Sequence, residues 1–315
     1  MEDVTDVVFR DVVARFLPKP NVLFTEFVST DALNSPGRPK ALPKLQFTAA
    51  QRPVVAQIWG KNPDHYFTSA QLVQELGFDG IDINMGCPER NVLKQGAGAG
   101  LIGQNSLVAE IIDATKRGAP QLPLSVKTRI GINSIVTEDW VGFLLQQRLA
   151  LLTVHGRTAK NMSDVPANWG EIAKAVALRD ELAPETLVVG NGDVQSYAQA
   201  VSYHQQYGVD GVMIGRGIFA NPWVFETSRS VGDADGVVTH AQAEILEVLT
   251  KHVQLFDQTW GQSPKFEMLK KFFKMYIKDF AGARELRARL MECHTAQAVL
   301  EVIDQELAAL GESSS

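Results

Sequence analysis

Seven short runs of apolar and β-branched residues recur along the chain. Each is followed by a polar or glycine-containing loop and, in most cases, a stretch of helical period. They lie at residues 21–26 (NVLFTE), 53–58 (PVVAQI), 80–84 (GIDIN), 123–127 (PLSVK), 151–155 (LLTVH), 186–191 (TLVVGN) and 210–214 (DGVMI). Helical periodicity is read at 64–75, 107–117, 169–182 and 196–207. Alternating strand and helix predicts an α/β protein built on a parallel sheet. A (β/α)8 TIM barrel needs eight such strands. The segment before residue 21 reads as a helix over 5–16, so the first barrel strand is expected to be missing, or reduced to its last residue at Met1. An open doubly wound sheet is the alternative, but it usually carries a glycine-rich fingerprint after its first strand. QGAGAG at 95–100 follows a loop instead.

From residue 236 the pattern is helical throughout, with helices expected over 240–258, 265–279, 283–291 and 296–310. The expected organisation is a barrel domain over 1–235 and an all-α domain over 236–315, joined by GDADG at 232–236, with GESSS at the end frayed.

Composition narrows the function classes. No run of 18 apolar residues is present, so no membrane span is expected. The start, MEDVTDVVFRD, is acidic and lacks the layout of a signal peptide. Two cysteines, Cys87 and Cys293, supply neither a disulfide framework nor a zinc pattern, so no metal is expected and a reducing cytoplasm is. The net charge of −6 argues, taken whole, against nucleic-acid binding. Residues 265–290 run the other way, with eight Lys or Arg against three acids.

Candidate chemistry gathers at the strand ends, where barrels keep their active sites. These ends carry Glu26, Gln57, Asn84, Lys127, His155, Asn191 with Asp193, and Gly215 with Arg216. NGD (191–193) and IGRG (214–217) follow the last two strands, the usual place for a phosphate. Lys127 can form a Schiff base, neutralise an anion, bind a cofactor or simply snorkel. Arg129 shares its side if the strand persists. Cys87 sits in Gly-Cys-Pro just past a strand. Metal ligation fails on spacing, and acid/base or nucleophilic chemistry is preferred to an inert buried thiol.

With these residues in place the chain resembles the tRNA-dihydrouridine synthase family. The resemblance rests on TEF (25–27), QIWG (57–60), DINMGCP (82–88), GAGAGLI (96–102), VKTRIG (126–131), VHGRT (154–158), NGD and VMIGRG (212–217), in the family's order. It implies FMN in the barrel mouth and NADPH or NADH as reductant. It implies that Gln57, Lys127 and His155 contact the flavin, and that Asn191, Gly192, Asp193, Gly215 and Arg216 hold its phosphate. Asn84 would bind the uracil, with Arg129 also on the substrate side, and Cys87 would protonate C5 after hydride reaches C6. The partner implied is tRNA, contacted by Lys270, Lys271 and Lys274 of the basic segment; no membrane and no obligate protein partner is indicated. The family's first strand ends Ala-Pro-Met, of which Met1 alone remains, and NMSDVPANW (161–169) departs from the family's substrate-side loop. Competing expectations are a non-catalytic tRNA-binding protein, a flavin barrel reducing a free pyrimidine, and a Schiff-base aldolase using Lys127.

Overall fold

A computed structural model describes residues 3–227, 240–261 and 266–313. Its sheet contains eight strand segments: β1 (Leu23–Phe24), β2 (Val28–Ser29), β3 (Val54–Trp59), β4 (Gly80–Met85), β5 (Leu124–Arg129), β6 (Leu151–His155), β7 (Leu187–Asn191) and β8 (Gly211–Met213). Every pairing is parallel, and the order is β1-β3-β4-β5-β6-β7-β8, with β2 also on β3. Neighbours in the sheet are thus neighbours in sequence. A doubly wound sheet reverses its order at a switch point; this sheet does not, and its order is that of a TIM barrel. Among the described residues no ladder joins β8 to β1. Met1 lies outside the described residues, as does the linker expected at 232–236.

Of the run expected as one strand over 21–26, Leu23–Phe24 is strand (β1); a second short piece, β2, follows beyond it, and both lie alongside β3. Thr25 explains the break. Its hydroxyl accepts the Gln57 N–H at 3.0 Å, in place of a backbone carbonyl. The next side chain, Glu26, turns into the interior and accepts the Asp3 N–H at 2.6 Å.

Alternation along each strand divides the sheet into two faces. One carries Val54, Ala56, Ile58, Ile81, Ile83, Met85, Leu124, Val126, Leu152, Val154 and Val188, all buried in a single apolar core. The helices Pro63–Glu75, Asn105–Gly118, Thr137–Leu145 and Trp169–Leu182 cover that face with Tyr66, Ile111, Trp140, Ile172 and their neighbours. The opposite face is polar, and it builds the site described below.

The chain forms two compact units. The first holds the sheet and its helices. The second comprises Val8–Pro20, Gln195–Ala198 and the chain from Arg216 onward. Helix Val7–Phe16, expected at the sequence level, therefore contributes most of its length to the helical unit. There Phe9 stacks on Phe272 at 5.0 Å, beside a buried His252 whose Nδ1 lies 3.0 Å from the Tyr276 hydroxyl. The expected C-terminal helices are present as Gln242–Trp260, Phe266–Tyr276, Ala283–Glu292 and Ala296–Ser313. Among the described residues no helix is long and apolar enough to cross a membrane.

Gly190 on β7 shows how closely helix and sheet approach. A Cβ there would lie 2.4 Å from Trp169 Cζ3. The indole donates from Nε1 to the Gly192 carbonyl at 3.0 Å and so pins the strand end. Gly190→Ala is expected to cost about 1–3 kcal/mol through overpacking, measured by chemical denaturation; an unchanged midpoint would contradict this packing.

Candidate active site

The polar face is built in rungs set by strand register. Gln57, Asp82 and Ser125 are aligned across β3, β4 and β5. Asn84, Lys127 and Thr153 form the next rung, and Arg129, His155 and Asn191 the one nearest the strand ends. Six of the expected site residues, Gln57, Asn84, Lys127, Arg129, His155 and Asn191, thus share one face. All but Lys127 and His155 are buried, and those two are half-buried. Barrel interiors are ordinarily filled by branched apolar side chains. Burying polar groups costs free energy unless each finds a partner, so this face has to be read through its hydrogen bonds.

One chain of bonds runs through both amides. Asp82, fully buried, accepts from Ser125 Oγ at 2.6 Å and from Gln57 Nε2 at 2.8 Å. Gln57 Oε1 accepts from Asn84 Nδ2 at 3.0 Å. Asn84 Oδ1 accepts the backbone N–H groups of Gly86 at 3.1 Å and Cys87 at 2.9 Å. This last arrangement is an Asx turn, which fixes the Gly-Cys-Pro loop to the end of β4. Cys87 itself is half-buried. Gly98, with φ of +57°, packs so closely that a Cβ would lie 2.9 Å from the Cys87 carbonyl oxygen. GAGAG at 96–100 is therefore the floor of the cysteine loop.

Charge on this face is held under strain from burial. Desolvation, and then Arg129, push the Lys127 ammonium down to about 8, against the pull of Asp82 and Cys87. Desolvation pushes Asp82 up to about 6, against its hydrogen bonds from Ser125 and Gln57 and the field of Lys127. Lys127 is thus chiefly a cation and Asp82 chiefly an anion at neutral pH. The Thr153 hydroxyl, level with Lys127, is buried and has no hydrogen-bond partner among the described residues.

The outer rung is braced by loops. Arg129 donates to the carbonyls of Gly86 at 2.8 Å, Thr158 at 3.0 Å and Met162 at 3.1 Å. This guanidinium ties the cysteine loop to the loop after β6. Arg157, almost fully buried, pairs with Asp193, and its Nη1 lies 3.2 Å from His155 Nε2. Arginine only donates, so His155 Nε2 is the accepting side of this contact. Asn191 Nδ2 donates to the Met213 carbonyl at 2.8 Å and joins β7 to β8. Gly215 is the last residue of the first compact unit, and Arg216 belongs to the second.

In the helical unit the three expected tRNA contacts differ. Lys271 and Lys274 are exposed, whereas Lys270 is buried with Nζ 3.0 Å from Glu267 Oε1. Lys278, eight residues beyond Lys270, is half-buried and donates to the carbonyls of Phe219 (3.0 Å) and Ala220. Sequence reasoning missed Asp82, Ser125, Thr153 and Arg157. The first two were signalled by parity, because they stand two residues before Asn84 and Lys127 on the same strand face.

The dihydrouridine synthase family model matches residues 1–311. The chain belongs to the dihydrouridine synthase family. Dihydrouridine carries two hydrogens more than uridine across one carbon–carbon bond, so this is a family of oxidoreductases. The chain is 41% identical over 315 residues to a probable tRNA-dihydrouridine synthase of Staphylococcus aureus (strain COL), covering 99% of this chain and 93% of that one. It is 41% identical over 307 residues to probable tRNA-dihydrouridine synthase 2 of Bacillus subtilis (strain 168), covering 96% and 91%. Among solved structures, an old yellow enzyme homologue from Zymomonas mobilis aligns at 13% identity with a TM-score of 0.46, over 70% of this chain and 81% of that one. Membership rests on the family match and the two relatives.

Asp193 also accepts the Ala167 N–H at 2.8 Å. Asp193→Ala is therefore expected to speed amide exchange across residues 157–168 and to cost about 1.5–3 kcal/mol, as for a hydrogen bond to a charged group. Hydrogen–deuterium exchange resolved by peptide checks this; protection equal to wild type would show that the pair does not hold the loop.

Proposed function

We propose that the protein is a tRNA-dihydrouridine synthase that reduces the C5–C6 bond of uridines in tRNA, with FMN on the polar inner face and NADPH or NADH as reductant. The observation that carries this reading is the inner face itself: a buried row of hydrogen-bonding side chains at strand C-terminal ends, with Cys87 on the adjoining loop. The residues present fit a flavin. A partnerless buried hydroxyl on Thr153 and a desolvated lysine beside it suit the polar edge of a heteroaromatic ring. When bound, the flavin supplies hydride transfer from nicotinamide to pyrimidine.

The chain's own residues do the rest. Gln57, Lys127 and His155 hold the ring. Asn191, Gly192 and Asp193 receive the phosphate, and Gly215 and Arg216 join them on the family pattern. Asn84 commits one N–H of its amide to Gln57, leaving the second for a pyrimidine carbonyl. Cys87 Sγ gives its proton to C5. Asn84 therefore ties the base and the acid together, because its oxygen fixes the Cys87 backbone while its nitrogen meets the substrate. A base inside a folded tRNA must leave its stack to reach this face. The exposed Lys271 and Lys274 are suited to its phosphates, whereas Lys270 is already engaged. The helical segment from residue 236 is accordingly read as the tRNA-binding domain, and the cytoplasm as the site of action. A free pyrimidine would need no basic helix, and a non-catalytic tRNA binder would need no buried polar face.

A positioned acid typically contributes roughly 10²–10⁴-fold. Cys87→Ala is expected to keep the bound flavin and its reduction by NADPH while losing dihydrouridine formation on unmodified tRNA by about that factor. Undiminished formation would show that the proton comes from another group.

A further inference from the structure

The bonds through Gln57 and Asn84 have a direction, and that direction is set at their two ends. At the outer end stand the N–H groups of Gly86 and Cys87, which only donate, so Asn84 must present its oxygen to them. Asn84 then presents its nitrogen to Gln57, which must answer with its oxygen. Gln57 is left with its nitrogen facing inward, and the group it meets there must accept. Asp82 is that group. An ionised carboxylate only accepts, so it matches a chain whose polarity is already fixed. Ser125 takes the other oxygen and keeps the carboxylate from turning.

We propose that Asp82 is a positioning residue: its carboxylate fixes the orientation of the Gln57 and Asn84 amides, and through Asn84 the seat of the Cys87 loop. This rests on the proposed function, in which Gln57 meets the flavin and Asn84 the pyrimidine. A protonated Asp82, or an asparagine in its place, can offer a donor to Gln57. When that donor faces Gln57, the Gln57 amide turns, its nitrogen faces the Asn84 nitrogen, and one donor on the buried face loses its acceptor. Asn84 cannot correct this by turning, because it would then aim its N–H groups at those of Gly86 and Cys87.

Lys127 on β5 and Tyr66 on helix Pro63–Glu75 lie within electrostatic reach of Asp82, and Arg129 and His155 stand further out on the same face. Tyr66 is buried and pushed above its ordinary range, so it stays neutral, and Lys127 titrates near 8. His155 stands on the same face, so a transition near 6 is assigned to Asp82 by its displacement in Ser125→Ala, which removes a hydrogen bond to Asp82. The sign follows from its direction: the carboxylate, raised above its ordinary value, is ionised above about 6 and takes up a proton as pH falls through that point.

Two measurements test this. The first is heteronuclear NMR of side-chain amides in the apoprotein. The Gln57 and Asn84 signals are expected to shift together in one transition near pH 6, and at higher pH in Ser125→Ala, which removes a hydrogen bond favouring the charged form. The second is FMN affinity by flavin fluorescence from about pH 5 to about pH 8, spanning the ordinary and raised carboxylate ranges. The wild-type dissociation constant is expected to rise about tenfold per unit below the transition. In Asp82→Asn it is expected to be weak and flat, with circular dichroism unchanged. If that variant fails to fold, Ser125→Ala carries the test. Amide signals that ignore pH, or a Ser125→Ala profile superimposable on wild type, would overturn the proposal. Coupled amide signals in a wild-type protein that binds no FMN at any pH would support the positioning role and overturn the flavin reading instead.

Discussion

A carboxylate buried under a parallel sheet is costly, and Asp82 organises what surrounds it. It has no solvent exposure and is held by Ser125 and Gln57 on either side. Its presence requires Gln57 to point one way, which requires Asn84 to point one way, which seats the backbone of Cys87. The charge also keeps Lys127 from losing its proton more readily than burial alone would cause. Two opposite charges and two amides thus stand within three adjacent strands, where an ordinary barrel would place valine and isoleucine. Stability alone does not favour such a face, because apolar replacements of similar volume are often neutral or better.

The opposite face makes this possible. Ile58, Ile83, Val126, Leu152 and Val154 pack under the covering helices in one continuous core. Strand order follows chain order, so each βα unit contributes one row to the polar face and one to the apolar face. The loops after β4, β6 and β7 are then braced through Arg129 and Arg157, whose guanidinium groups reach carbonyls and a carboxylate that sequence distance alone would not join.

Much of this was legible in the sequence, for a physical reason: buried parallel strands are apolar runs, and breaks in those runs mark their ends. All seven runs coincide with strands, and Gln57, Asn84, Lys127, His155 and Asn191 were found because each stands near such an end. The face of Lys127 could not be read from one strand, since Ser125 shares its parity; the partnership of Ser125 with Asp82 decides it. Asp82 and Thr153 were passed over because they lie inside the runs, where a single polar residue reads as filler. The early end of β1 within the first run depends on a hydroxyl standing in for a carbonyl, which no periodicity encodes. The partners of the lysines on the basic segment are likewise not encoded by spacing. Spacing of four places Lys270, Lys274 and Lys278 on one side of a helix, but Glu267 engages the first and the carbonyls of Phe219 and Ala220 engage the last.

The polar face of the sheet is proposed to hold a flavin. The direct measurement is the visible absorption spectrum of the purified protein, before and after anaerobic addition of NADPH. The expected result is a flavin band that bleaches on reduction and returns when unmodified tRNA is supplied. A colourless protein that takes up no added FMN would contradict it.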